Sequence, residues 1–139
     1  MDLSELIRKA QEAKEKAYVP YSGFHVGAAL LCKDGTIFTG CNIENSAYGP
    51  TNCAERTAIF KAVSEGYREF QVIAIISDSK ELTSPCGVCR QVMAEFCEPD
   101  FEVIMLSCDG KYKAVTLEEL LPYAFSLTEE QLATAPELS

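Results

Sequence analysis

Three cysteines and one carboxylate fall in two short stretches, Cys53-Ala54-Glu55-Arg56 and Pro85-Cys86-Gly87-Val88-Cys89-Arg90. Thiolates ligate soft and borderline metals, and zinc accepts them tetrahedrally. Three protein ligands leave one position for water, which is the mark of a catalytic rather than a structural zinc site. Glu55 stands two residues from a ligand and is placed to move protons there.

Both stretches read as helix starts. Ser84 suits an N-cap and Pro85 a first helical position, which puts Cys86 and Cys89 on one helix face. Asn52 reads as the cap of a helix beginning at Cys53. Glu55 then has a second reading, because it lies three residues after Asn52, the spacing of a capping box. A bare C-x-x-C is also a redox motif. The third cysteine with its glutamate favours zinc.

The spacing Cys53-x-Glu55…Pro85-Cys86-x-x-Cys89 matches the three-cysteine form of the zinc-deaminase signature. With Cys41-Asn42-Ile43-Glu44-Asn45 and Arg90-Gln91, it resembles the small zinc-dependent cytidine deaminases. The likeness runs from about Tyr18 to Phe125. It departs around Gly49-Pro50-Thr51, just before the first ligand turn, which leaves that loop's shape open.

The resemblance implies hydrolytic deamination of cytidine and deoxycytidine to uridine and deoxyuridine plus ammonia, a pyrimidine-salvage reaction. A zinc-bound hydroxide attacks C4, and Glu55 carries the proton to N3 and then to the amine. It implies that Asn42 and Glu44 hold the 3′-hydroxyl, that the Ala54 backbone meets the pyrimidine carbonyl, and that the backbone from Ser84 to Cys86 receives the amine. Phe24 lies nearby, to pack on base or sugar or simply in the core. The resemblance further implies a homotetramer in which Phe125, Ala47 and Tyr48 reach a neighbour's site. Apolar Leu120, Leu121, Pro122, Tyr123 and Phe125, with little chain left to cover them, agree with an interface.

A three-thiolate zinc carries net negative charge, which weakens it as a Lewis acid. Helix N-termini offer partial positive charge. Arg56 and Arg90 both follow ligand turns, and Arg56 is the first choice for donating to a sulfur. The only histidine, His25, lies among apolar residues and reads as structural.

The elements that must position these groups follow from pattern. Apolar residues recur at helical spacing over 3–17. Residues 24–32 alternate between two apolar faces, as a central strand covered on both sides does. Lys33-Asp34-Gly35 turns the chain into a partner strand, 36–42. Helices over 53–65 and 85–97 follow the ligand turns, with Gly66 as a C′ residue. Strands are expected over 70–77, 101–108 and 111–115, and a short helix over 117–121. The sum is one domain, 1–139, with an α/β, three-layer α-β-α sandwich around a mixed five-stranded sheet. The Asp109-Gly110 turn is too short for a parallel crossover, so the fifth strand is antiparallel. In the family resembled, this marks deaminases of free nucleosides rather than of polynucleotides.

Composition agrees. A chain of 139 residues can bury roughly two-thirds of its unfolded surface. A net charge of −9, with twelve dispersed Lys and Arg, disfavours nucleic acid. No apolar run reaches membrane-spanning length, and the first residues show no secretory signal, so a reducing cytoplasm is expected. Of seven cysteines, Cys32, Cys41, Cys97 and Cys108 remain after the ligands. They read as free thiols rather than as two disulfides. A blasticidin S-type deaminase and a structural zinc module completed by Cys97 are the competing readings.

Overall fold

The computed structural model describes residues 3–127, so the end of the chain, expected to be a weakly patterned surface tail, lies outside the described residues. The element order is α1 (Leu3–Lys14), β1 (Val26–Cys32), β2 (Ile37–Cys41), α2 (Ala54–Ser64), β3 (Phe70–Ser77), α3 (Gly87–Phe96), β4 (Glu102–Leu106), β5 (Tyr112–Thr116) and α4 (Leu117–Leu120). The five strands form one sheet in the order β2-β1-β3-β4-β5. Only β3 and β4 are parallel, joined across α3, and every other neighbouring pair is antiparallel.

Period-two alternation divides the central strands between two cores. Ala29, Leu31, Val72, Ala74, Ile76, Ile104 and Leu106 meet Leu6 and Ala10 of α1. Ala28, Leu30, Ile73, Ile75, Val103 and Met105 meet Ala58, Ile59, Met93 and Leu117 on the opposite face. The expected three layers result, with α1 on one side and α2, α3 and α4 on the other.

Two turns set the register. Gly35 (φ +95°) reverses β1 into β2, and Asp34 Oδ1 accepts the Thr36 N–H at 3.0 Å. Gly110 (φ +92°) reverses β4 into β5, so β5 is antiparallel as the Asp109-Gly110 signal predicts. Two glycines mark close approach. A Cβ at Gly27 would lie 2.2 Å from the Ala10 carbonyl of α1, and one at Gly40 would lie 2.5 Å from both Ala54 O and Ala58 N of α2. These gaps let a helix backbone rest directly on a strand.

Several boundaries differ from the sequence expectation. Helix α1 ends at Lys14, not at residue 17. Lys16 and Ala17 make tight turn bonds, and Tyr18 then pairs with Asn42 and Glu44, its N–H donating to Asn42 O at 3.0 Å. β1 begins at Val26, because the backbone groups of Phe24 are taken by side chains: its N–H by Ser22 and its C=O by Asn42. His25 is not enclosed among apolar groups. It is part-exposed, and its Nδ1 lies 2.8 Å from Asp78 Oδ2.

Candidate active site

The N-termini of α2 and α3 meet on the sheet face opposite α1. Cys53 and Cys86 are their N-cap residues, both in extended backbone. An N-cap side chain folds back over the first turn. The Cys86 sulfur does so, accepting the Cys89 N–H at 3.4 Å. The sulfurs of Cys86 and Cys89 are 3.4 Å apart and those of Cys53 and Cys86 are 3.7 Å apart. All three lie within 4.8 Å of one another. A tetrahedron with zinc–sulfur arms of about 2.3 Å has edges of about 3.8 Å, so the donor set and spacing fit zinc. Among the described residues this is the one such cluster.

This corrects the capping expected for both helices. Ser84 and Pro85 precede α3 and neither caps it: Ser84 Oγ accepts from Arg90 Nη2 at 2.6 Å, and Pro85 O accepts from Arg90 Nε at 2.9 Å. Asn52 does not cap α2. Its amide donates to Thr57 Oγ1 at 3.0 Å, and its backbone pairs with Ile43. The capping-box reading of Glu55 fails with it, because the Asn52 N–H it would accept goes to Ile43 O at 2.9 Å.

Glu55 is instead turned inward, 4% exposed. Burial pushes its carboxyl up to about 7, with the negative charge of Cys53 adding to the rise. A carboxyl poised there can take and return a proton near neutral pH.

The thiols are electrostatically linked. Cys53 is held below the ordinary thiol range, first by its interaction with the neighbouring Cys89 sulfur and then by Arg56. Cys89 is pushed up by the neighbouring Cys53 sulfur and by burial. Arg56 Nη2 donates to Cys53 Sγ at 3.2 Å, while its buried Nε has no partner. Arg90 points away from sulfur, and besides Ser84 and Pro85 it binds Leu120 O at 2.7 Å. Of the two arginine side chains, only that of Arg56 donates to a ligand sulfur.

Asn42 and Glu44 follow β2, on either side of Ile43, whose backbone pairs with Asn52 just before the first ligand. Asn42 Oδ1 accepts the Val26 N–H at 2.9 Å, and its amide donates to Phe24 O at 2.8 Å. Glu44 accepts from Tyr21 N and Ser22 N at 3.1 Å and from the Ser22 hydroxyl. Phe24 is 42% exposed, so it is not a core residue. Ala54 is fully buried at the α2 start. Ala47 is exposed on the loop before α2, its N–H donating to Asn45 Oδ1 at 3.0 Å. Tyr48 is 93% and Phe125 67% exposed, and the Phe125 carbonyl is held by Gln91 Nε2 at 2.9 Å.

Cys97 caps the C-terminus of α3, about 16 Å along the helix from Cys86 at 1.5 Å per residue, and it is no fourth ligand. Cys32, Cys41, Cys97 and Cys108 are all free thiols. Sequence reasoning missed Gly40 and Thr57. A strand-interior glycine signals close backbone approach. Thr57 carried no signal, although its hydroxyl bonds the Cys41 and Cys53 carbonyls and so ties α2 to β2.

Two helix starts on one sheet face, three thiols and a buried carboxylate define a metal-dependent hydrolytic enzyme of α/β type. Residues 1–105 match the family described as the cytidine and deoxycytidylate deaminase zinc-binding region. The chain belongs to that family, and zinc is its cofactor. It is 55% identical to the cytidine deaminase of Sporosarcina psychrophila over 137 residues, 99% of each chain. The crystal structure of cytidine deaminase from Burkholderia pseudomallei superposes with a TM-score of 0.87 at 49% identity, covering 90% of this chain and all of that one. A blasticidin-S deaminase of Bacillus cereus is also similar, 34% identical over 130 residues, 88% of this chain and 91% of the relative.

Proposed function

We propose that this protein deaminates cytidine and deoxycytidine hydrolytically, to uridine and deoxyuridine with release of ammonia. The observation that carries the reading is the buried Glu55 carboxyl beside three clustered thiols. Cys53, Cys86 and Cys89 would hold zinc, which when bound polarises a water for attack on C4 of the pyrimidine.

The chain's own groups do the rest. Glu55 takes a proton from the attacking water and delivers it to N3; it then takes the remaining proton of the new C4 hydroxyl and gives it to the amine as the C4–N bond breaks and the carbonyl forms, one carboxyl acting as base and then acid. Its position near neutrality suits both roles. Arg56 draws charge from Cys53, and the α2 and α3 N-termini add partial positive charge at the sulfurs. The Ala54 backbone reads the pyrimidine carbonyl, and the backbone from Ser84 to Cys86 receives the amine. Asn42 and Glu44 take the ribose 3′-hydroxyl, and Phe24 packs beside it.

The lone chain leaves this site open on one side, with Cys86 and Phe24 exposed. That openness supports a homotetramer in which Phe125, Ala47 and Tyr48 of one subunit close a neighbour's pocket. No described helix is long and apolar enough to cross a membrane, and the free thiols suit a cytoplasmic setting.

A blasticidin S-type substrate is the second reading, favoured by the Bacillus cereus relative. The Asn42/Glu44 pair, suited to plain ribose hydroxyls, favours cytidine. Ultraviolet assay of cytidine loss beside blasticidin S loss tests the choice. Wild type should consume cytidine faster. Glu55→Ala should keep its fold and one zinc per chain yet lose about 10²–10⁴-fold in turnover, whereas Cys86→Ala should lose the zinc. Turnover within threefold of wild type in Glu55→Ala would remove the carboxylate from the mechanism.

A further inference from the structure

Ser22 lies outside the metal cluster, on the exposed loop between α1 and β1, yet its hydroxyl joins two groups of the proposed substrate pocket. It donates to Glu44 Oε2 and accepts the Phe24 N–H at 3.0 Å. A hydroxyl has one proton and two lone pairs, so one oxygen serves both bonds. The Tyr21 and Ser22 N–H groups hold the other Glu44 oxygen, each at 3.1 Å. Asn42 holds the Phe24 carbonyl from the opposite side. Gly23, at φ +69°, makes the bend that lets the Phe24 N–H turn back onto the Ser22 hydroxyl.

We propose that Ser22 is a positioning residue for sugar recognition: its hydroxyl fixes the Glu44 carboxylate against the Phe24 backbone, so that the 3′-hydroxyl is read by an oriented acceptor. The inference rests on the assignment of Glu44 to the ribose. Ionised Glu44 has acceptors only. With three donors from the loop already on it, its remaining lone-pair directions are set by that loop. Without the Ser22 hydroxyl the carboxylate regains rotamer freedom, which binding must then remove. Glu55 and the thiols are untouched by this change, so the loss falls on binding rather than on the chemical step.

The test is steady-state kinetics of wild type, Ser22→Ala and Ser22→Thr with cytidine and with 3′-deoxycytidine, after equal zinc content and melting temperature have been verified. Loss of one charge-assisted bond is worth about tenfold. Ser22→Ala should therefore raise KM for cytidine about 5–20-fold with kcat within about twofold. Ser22→Thr, which keeps the hydroxyl, should restore KM. With 3′-deoxycytidine, which lacks the group Glu44 accepts from, Ser22→Ala and wild type should have KM values within about twofold. An active wild type with an unchanged KM in Ser22→Ala overturns this inference alone. So does a penalty carried by kcat, or one that persists undiminished with 3′-deoxycytidine. A wild type that leaves cytidine intact overturns the deaminase activity, and this inference with it.

Discussion

The guanidinium of Arg56 donates to the sulfur of Cys53 across 3.2 Å, one helical turn further along α2. Arg90 directly follows the second ligand turn, yet its three nitrogens donate to Pro85 O, Ser84 Oγ and Leu120 O. Two similar arginines therefore have separable tasks. Arg56→Ala should leave a ligand sulfur without its cationic donor. Outer partners of this kind are worth about 10–100-fold in metal affinity or activity, so kcat should drop by that order with the melting temperature little changed. Arg90→Ala should do the reverse, costing about 2 kcal/mol of stability for lost hydrogen bonds from a charged group, with kcat for the folded, zinc-loaded fraction within a few-fold of wild type. Equal effects of the two substitutions on kcat would contradict this division.

Helix α2 carries Cys53, Glu55 and Arg56, and it rests on β2 at Gly40. A methyl group there would meet backbone of Ala54 and Ala58, which cannot rotate aside. Gly40→Ala should cost about 1–3 kcal/mol by overpacking and tilt α2 away from α3. Zinc titration by a chromogenic chelator should then show weaker retention than in wild type. Gly49→Ala, where an added Cβ meets nothing within 4 Å, is the matched control.

Two thiols outside the cluster, Cys32 and Cys97, should titrate late. Burial raises Cys32 to about 11 and Cys97 to about 12 from an ordinary 9.0. Because each proton is held more tightly folded than unfolded, the associated stability is full below pH 9.0 and is lost as pH rises through about 11 and about 12. Only thiolate alkylates readily. Iodoacetamide at about pH 8 should therefore label exposed Cys108 first and spare Cys32 and Cys97 until denaturant is added. Early labelling of Cys97 in the native protein would show that its partial burial does not protect it.

Phe125 is exposed, while its backbone is anchored to α3 through Gln91. If its ring serves a neighbouring subunit's pocket, then Glu55→Ala and Phe125→Ala proteins, each impaired alone, should complement when refolded together. Mixed assemblies verified by mass spectrometry should exceed the average activity of the parents. Activity equal to that average would assign Phe125 to its own chain.

Much of the fold was legible along the chain because it is written in local periodicity. The two-faced apolar run of β1, the Asp34-Gly35 and Asp109-Gly110 turns, and the helical spacing of Leu6 and Ala10 depend on neighbours in sequence. The three cysteines and Glu55 were legible for a related reason: ligand chemistry restricts residue type and spacing within one helix turn. Capping was not. The N-cap role passed from Ser84 and Asn52 to Cys86 and Cys53, because Asn52 is held by Ile43 and Thr57 and Ser84 by Arg90. Those partners are far away in sequence or on another element, and spacing alone does not reveal them. The same holds for the choice between Arg56 and Arg90, for the closeness of Gly40 to α2, and for the bonds of Ser22 to Glu44 across 22 residues of chain. Residue types and their short-range order determined which chemistry this protein carries and which elements hold it. Which donor meets which acceptor was decided only when the sheet brought β1, β2 and the starts of α2 and α3 together, since hydrogen bonds act over about 3 Å and reward whichever partner the packing delivers.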